Sequence, residues 1–317
     1  MNFHFLILLT LLSISLSCTG QTNKSFEEEK IEVKKGSDQS VLMDADQLFG
    51  DRWNSLPQPL FWKEIMTLSP DSCLVNVAAS RQILVRMAWK DWAKQTEIQK
   101  TLFKDSLKVA NGIASTEAIY VTTGKNDFYK FKDVYPQLSK GVAAFEKYGV
   151  DPWYAQAILL IESPGQLKKS TVGAYGAFQL MPSVARSHGL KVDKYIDERA
   201  NFDRCAYGAA CVLSKVCIPE AKRILNAKNI AFQENELWFR LFVLHVYHAG
   251  SMNVRAVVDK INPTAGSQDL IKQMWQNSAA GFGNNSQNYT QLALASQLIL
   301  HDIVYSQCDE IFECYPN

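Results

Sequence analysis

The chain has 317 residues, 47% of them hydrophobic, enough to bury one large core and a smaller companion. Its 33 basic and 32 acidic residues are interspersed and leave a formal net charge of +1. With no basic stripe, nucleic acid is excluded as an expected partner.

The chain opens MNFHFLILLTLLSISLSC. The apolar run from Phe3 to Leu16 is about fourteen residues, short of the ~20 that span a bilayer. It predicts a secretory signal over residues 1–18, although no Lys or Arg precedes the run. Ser15-Leu16-Ser17-Cys18 reads as an imperfect bacterial lipobox. Lipidation at Cys18 is favoured, while the small residues Ser15 and Ser17 also suit an ordinary signal peptidase. Either route exports the protein to the cell envelope, facing the periplasm, with the membrane met only through that anchor.

Residues 19–41 are polar and charged, which predicts a disordered tether. About twenty residues of random coil span roughly 25 Å. Residues 42–125 are expected to form an accessory helical region. Ser69-Pro70-Asp71 looks like a helix start, and Leu74, Val75, Val77, Ile83, Leu84, Met87 and Trp89 roughly follow helical spacing.

A larger domain is expected over 126–317. Asp151 is the predicted N-cap of a helix with Pro152 at its first position. From Ala155 to Ile161 only Gln156 is polar, so this helix belongs in a core. Ser163-Pro164-Gly165 should end it. Met181-Pro182-Ser183 starts a short helix ending near Gly189. Asn201 caps a helix from Phe202 to about Val216, and Asn235 one from Glu236 to Ala249, stopped by Gly250. The last long helix runs from about Asn288 to Tyr305. A few short strands or turns fit residues 171–180, and the fold class is mainly α.

Besides Cys18 the cysteines are Cys73, Cys205, Cys211, Cys217, Cys308 and Cys314. Cys205, Cys211 and Cys217 recur every six residues, about 600° of helix, so neighbours in the series point to different faces and cannot form one metal cluster. Cys308 and Cys314 close a short loop and are the best candidates for a pair. For the others, disulfides and buried free thiols stand equal.

Glu162 is the one acid at the end of the greasiest helix. Desolvation disfavours the anion, and the negative end of the helix dipole adds about 0.3–1 kcal/mol in the same direction. A carboxyl kept protonated near neutrality suits general acid catalysis, notably at a glycosidic bond. The plainer reading is a solvated helix-end Glu, or one paired with Lys168 or Lys169. Gly173, Ala174, Gly176 and Ala177 allow backbone to approach a ligand, and Ser170 and Gln179 offer uncharged donors and acceptors. A tight turn between helices would use the same glycines.

Glu162-Ser163, then Ser170, then GAYGAFQLMPSVA resembles the signature of the lytic transglycosylase domain, similar to goose-type lysozyme in the lysozyme-like superfamily. Asn201 with Gly208, the run Tyr247-His248-Ala249-Gly250 before Asn253-Val254, and Tyr289 match further family blocks in order. The resemblance covers roughly residues 125–305. It implies a lysozyme-like catalytic domain that cleaves the β-1,4 bond between N-acetylmuramic acid and N-acetylglucosamine in peptidoglycan strands, without a cofactor, and leaves a 1,6-anhydro end. It also implies roles for residues. Glu162 is acid and then base. Ser170 and Gln179 hold acetamido or hydroxyl groups, with Gly173, Ala174, Met181 and His248 lining the substrate site. Tyr247 bonds to or packs beside Glu162, and Tyr289 lines the same pocket.

Three features depart from the family pattern. The interval from Glu162 to Ser170 is one residue shorter than in many members, Ala177-Phe178 replaces Leu-Met, and His248 replaces Asn. A hydrolase would need a second carboxylate; Asp193, Asp197, Glu198 and Asp203 follow, and read more simply as a charged solvated stretch. A non-catalytic glycan-binding envelope lipoprotein is the remaining alternative. His245 and His248 are three apart on a helix, but zinc needs three or four ligands and no third is identifiable, so no metal is expected.

Overall fold

The computed structural model describes residues 26, 29–35, 38–162, 169–311 and 315–316, with the side chains of 35, 38, 132, 306–311 and 315–316 excepted. The signal segment, Cys18, Ser163 to Lys168 and Cys314 lie outside the described residues, as does the side chain of Cys308.

The chain enters as an antiparallel hairpin, β1 (Lys30–Lys35) and β2 (Asp38–Met43), with β6 (Tyr315–Pro316) on the other edge of β1. This corrects the expected tether, whose second half is sheet. Ile31 and Val33 alternate with charged residues, a period-two signal in the sequence. The outer edge of β2 is closed by side chains. Ser139 Oγ accepts from Val41 N at 2.7 Å and donates to Val41 O at 3.0 Å. The Gln156 amide does the same for Met43, accepting from its N–H and donating to its carbonyl, each at 2.9 Å. The one polar residue in the apolar helix thus stands in for a neighbouring strand.

Two short helical elements follow, α1 (Asp46–Gly50) and the 3-10 turn Trp53–Ser55, then α2 (Pro57–Thr67). The expected helix after Ser69 is absent. In its place β3 (Ser72–Val77) and β4 (Ile83–Ala88) form a hairpin, and β5 (Ile119–Thr123) pairs with β3, all antiparallel in the order β4-β3-β5. Short apolar runs fit either period, and pairing of β-branched Val and Ile across strands decides for sheet. The helices α3 (Trp89–Ala93) and α4 (Glu97–Ala110) lie between β4 and β5 in the chain, with Phe103 and Leu107 of α4 packed on Val75, Val77 and Ile119. Thr96 and Gln99 form a reciprocal capping box at the start of α4. The accessory region is therefore mixed α and β rather than helical.

The larger body is helical: α5 (Phe131–Lys147), α6 (Pro152–Glu162), α7 (Pro182–Ser187), α8 (Phe202–Val212), α9 (Ile218–Asn226), α10 (Leu237–Ala249), α11 (Ser251–Ile261), α12 (Gln268–Gln276) and α13 (Asn284–Ile311). Residues 152–161 are all buried, so α6 is the central post, against α5 and α13. Asp151 Oδ1 accepts from Trp153 N at 2.9 Å, and Asn201 Oδ1 accepts from Arg204 N at 3.0 Å, as the caps predict. A π turn, Leu213–Cys217, joins α8 to α9. Pro219 follows it, lacks an N–H and crowds the carbonyl four residues back, which explains the wider turn. Cys73, Cys205, Cys211 and Cys217 are buried and in thiol form. No helix among the described residues is long and apolar enough to cross a membrane.

Candidate active site

The site is built round the C-terminal end of α6. Ten buried residues precede Glu162 and carry it out of the core, leaving it partly buried. It retains some accessible surface, yet the protein packed round its carboxyl raises its pKa from 4.5 to about 7. Desolvation is the main cause, as the apolar helix predicts. Against it, among the described residues, stands one hydrogen bond. Tyr289, near the start of α13, donates its hydroxyl to Glu162 Oε1 at 2.7 Å, which favours the anion. Lys169, a proposed ion-pair partner, instead places its ammonium over the Tyr175 ring.

Of the two tyrosines, Tyr289 makes the bond to Glu162, and Tyr247 lies beside that carboxyl. The Tyr247 hydroxyl donates to Phe178 O at 2.7 Å, tying α10 to the loop before α7, and burial, with the Glu162 charge beside it, raises its pKa. His248 stacks on Tyr289 with ring centroids 4.3 Å apart. It keeps an exposed edge, but its packed setting lowers its pKa to about 4, so the imidazole is neutral at pH 7. A neutral ring two residues before Gly250 can offer one donor and one acceptor, as the Asn of the family pattern could.

Ser170 does not project freely. Its Oγ accepts from Ala174 N at 2.9 Å, closing the turn that contains Gly173. Tyr175 and Leu180 then pair as a minimal antiparallel bridge around Gly176 to Gln179. Gln179 sits in the left-handed region at φ 47°, and its amide donates to Gly176 O at 3.1 Å. Gly176, at φ +86°, passes so close to Arg199 that an added Cβ would lie 2.1 Å from the Arg199 carbonyl oxygen. Ala174 is buried, and Met181 is exposed just before α7.

Sequence reasoning missed the residue that fixes this loop. Arg199 is buried, donates to Gly173 O at 2.9 Å and Leu180 O at 2.7 Å, and is held by Asp197 at 2.7 Å. It also lies over the Tyr175 ring. Tyr129 was missed too. Burial raises its pKa, and the Glu162 charge adds to that in the same direction. It lines a cavity of about 600 Å³ with Met66, Phe131 and Ile299. No local motif marks either residue, since both act through contacts distant in sequence.

The other acids are engaged elsewhere. Asp193 accepts from the backbone of Tyr195 and Ile196, Asp197 pairs with Arg199, and Glu198 pairs with Arg204. Asp203 is likewise absent from the groups that perturb Glu162, and among the described residues those groups include no second carboxylate. His245 is fully buried, with Nε2 3.0 Å from Thr290 Oγ1 and its pKa lowered to about 3 by burial. No group of three or more metal-ligating side chains occurs among the described residues.

Residues 142–268 match a family model described as the transglycosylase SLT domain. No curated protein matches the chain.

Proposed function

Starting from a chain that carries a transglycosylase SLT domain of mainly α, lysozyme-like fold over residues 142–268, we propose that Glu162 cleaves the β-1,4 bond between N-acetylmuramic acid and N-acetylglucosamine. At family level the domain is a lytic transglycosylase type that acts on peptidoglycan in the cell envelope. Glu162, protonated, gives its proton to the bridging oxygen as the C1–O bond breaks. The resulting carboxylate then takes the proton of the muramic C6 hydroxyl while that oxygen bonds to C1. The ring closes as a 1,6-anhydro end, the acid is restored and no water is consumed.

One observation carries this reading: Glu162 has a pKa of about 7 and, among the described residues, a single tyrosine as its hydrogen-bond partner and no second carboxylate among the groups that perturb it. A pKa near the working pH lets one group both give and take a proton. A substrate nucleophile removes the need for a paired carboxylate set to activate water. Tyr289 would hold the carboxylate through both steps, and neutral His248 would keep Tyr289 in place. Ser170, Gly173, Ala174, Gln179 and Met181 would form the wall against which sugar acetamido groups lie, with Ser170 acting by shaping the loop and Gln179 by its left-handed turn.

The anchor belongs to the same proposal. Lipidation at Cys18 would leave at most about 40 Å of extended chain before Glu29. The enzyme would then work close to the membrane.

Product analysis on purified sacculi tests the reaction. The expected products are soluble fragments with anhydro ends, one water lighter than reducing ends by mass spectrometry, and none from Glu162→Gln. Reducing ends would mean a hydrolase. Wall binding with no fragments released would mean a non-catalytic module.

A further inference from the structure

Arg81 is the fourth of the five residues that connect β3 to β4, and its N–H donates to Val77 O at 2.9 Å. Its φ is +60°, the left-handed region that a side chain with a Cβ disfavours and that Gly or Asn ordinarily fills in such hairpins. Its guanidinium is buried, 5% exposed, and no carboxylate meets it among the described residues. Three rings surround it instead, with the Phe61, Trp62 and Tyr120 centroids 5.4, 5.5 and 5.8 Å from the guanidinium carbon. A strained backbone and a desolvated cation are both unfavourable, and the three rings and the contacts the side chain makes offset them.

It reaches the first turns of α13. Arg81 Nη2 donates to Asn288 Oδ1 at 2.7 Å, and Asn284 Oδ1 lies at 3.5 Å. One turn further on, Trp62 Nε1 donates to Gln291 Oε1 at 3.1 Å. Asn284, Asn288 and Gln291 share one face of the helix by their i, i+4, i+7 spacing. Tyr289 stands about 100° round from Asn288 and points to Glu162. The accessory region therefore grips α13 on one side and the catalytic carboxyl is met on the next.

We propose that Arg81 is a positioning residue: through Asn288 it fixes the rotation of α13 about its axis, and so sets the Tyr289 hydroxyl on Glu162. This makes the accessory region part of the catalytic apparatus rather than a passive layer. The lever is short. A roll of 10° moves a hydroxyl roughly 8 Å from the helix axis by about 1.5 Å, enough to break a 2.7 Å hydrogen bond.

The inference rests on the reading of Glu162 as the acid, and the test separates the two. Glu162 is followed by carbon-13 NMR titration of labelled glutamate, and turnover of sacculi is measured against pH, for the full chain and for Arg81→Gly, Tyr289→Phe and the double variant. Gly suits the left-handed position, so the hairpin is retained, which far-UV circular dichroism checks; Arg81→Lys, which keeps the charge and loses the fork, gives the same reading if the Gly variant does not fold. The expected result is a roughly tenfold lower kcat with KM within about twofold, and a Glu162 titration moved to higher pH, the direction expected for loss of the Tyr289 bond. In the Tyr289→Phe background Arg81→Gly should add less than about twofold. Unchanged titration and kcat in Arg81→Gly, or losses that multiply in the double variant, overturn it. Wild-type Glu162 titrating near 7 without released fragments sinks the functional reading alone, and the NMR arm still decides the role of Arg81.

Discussion

Tyr289 donates its hydroxyl to Glu162 Oε1 across 2.7 Å, and among the described residues it is the one hydrogen bond that opposes the desolvation of that carboxyl. Burial raises the pKa to about 7 and the tyrosine holds it from going higher. The balance leaves Glu162 able to exist in either protonation state at neutral pH, which an acid that becomes a base requires.

The first consequence is for activity against pH. The proton-donating form is present below about pH 7 and lost above it, so turnover on sacculi should fall on the alkaline side with a midpoint near 7. Tyr289→Phe removes the bond that favours the anion. Its alkaline limb should move to higher pH, with kcat reduced roughly tenfold. A limb that moves to lower pH would contradict the hydrogen bond's assigned direction.

Glu162→Gln should lower turnover by at least about 1000-fold while the fold persists. Its effect on stability has a definite sign. Between pH 4.5, where the unfolded carboxyl titrates, and about 7, where the folded one does, the folded state holds the extra proton. Wild-type stability contributed by this group is full below 4.5 and falls as pH rises through that window, by up to about 3 kcal/mol. Urea melts should therefore find the Gln variant more stable than wild type at pH 8 and nearly equal to it at pH 4.

Two glycines in one loop should respond differently. Gly173 and Gly176 both have positive φ, so either Ala variant is strained by about 1 kcal/mol. At Gly173 the added methyl meets nothing within 4 Å, whereas at Gly176 it meets the Arg199 carbonyl at 2.1 Å. Gly176→Ala should lose more than about 2 kcal/mol in chemical unfolding and most of its activity, and Gly173→Ala about 1 kcal/mol. Equal losses would mean that the Arg199 contact does not fix the loop.

Gln156→Leu should lower stability by about 2–4 kcal/mol in urea melts, although it replaces a polar core residue by an apolar one. It would orphan the buried N–H and C=O of Met43 and free the Oε1 of Gln297, to which Gln156 also donates at 2.8 Å. Hydrogen exchange should rise across β1 and β2 before the rest of the chain. A neutral substitution would show that the hairpin is held by other contacts.

Parts of the fold and site were legible from local chemistry. Asp151, Pro152 and Asn201 are where helix-start stereochemistry places them, and the unbroken apolar run before Glu162 states its own burial and thereby the raised pKa. The sheet was not legible. Leu74, Val75, Ile83 and Leu84 satisfy helical spacing as well as strand spacing, and only the pairing of β3 with β4 and β5 separates them. Ile31 and Val33 of β1 did alternate, but its partner β2 has its outer edge closed by the Ser139 and Gln156 side chains, about a hundred residues away.

What the sequence alone determined is the solitary acid at the end of a buried helix and the small-residue loop beside it, because desolvation and turn geometry depend on neighbours in the chain. What only the tertiary structure decided is which groups meet that acid. Tyr289 rather than Tyr247 bonds to it, Arg199 pins the loop and Arg81 reaches α13, because hydrogen bonds between helices are set by how the helices are rotated and packed, and no local pattern encodes that rotation.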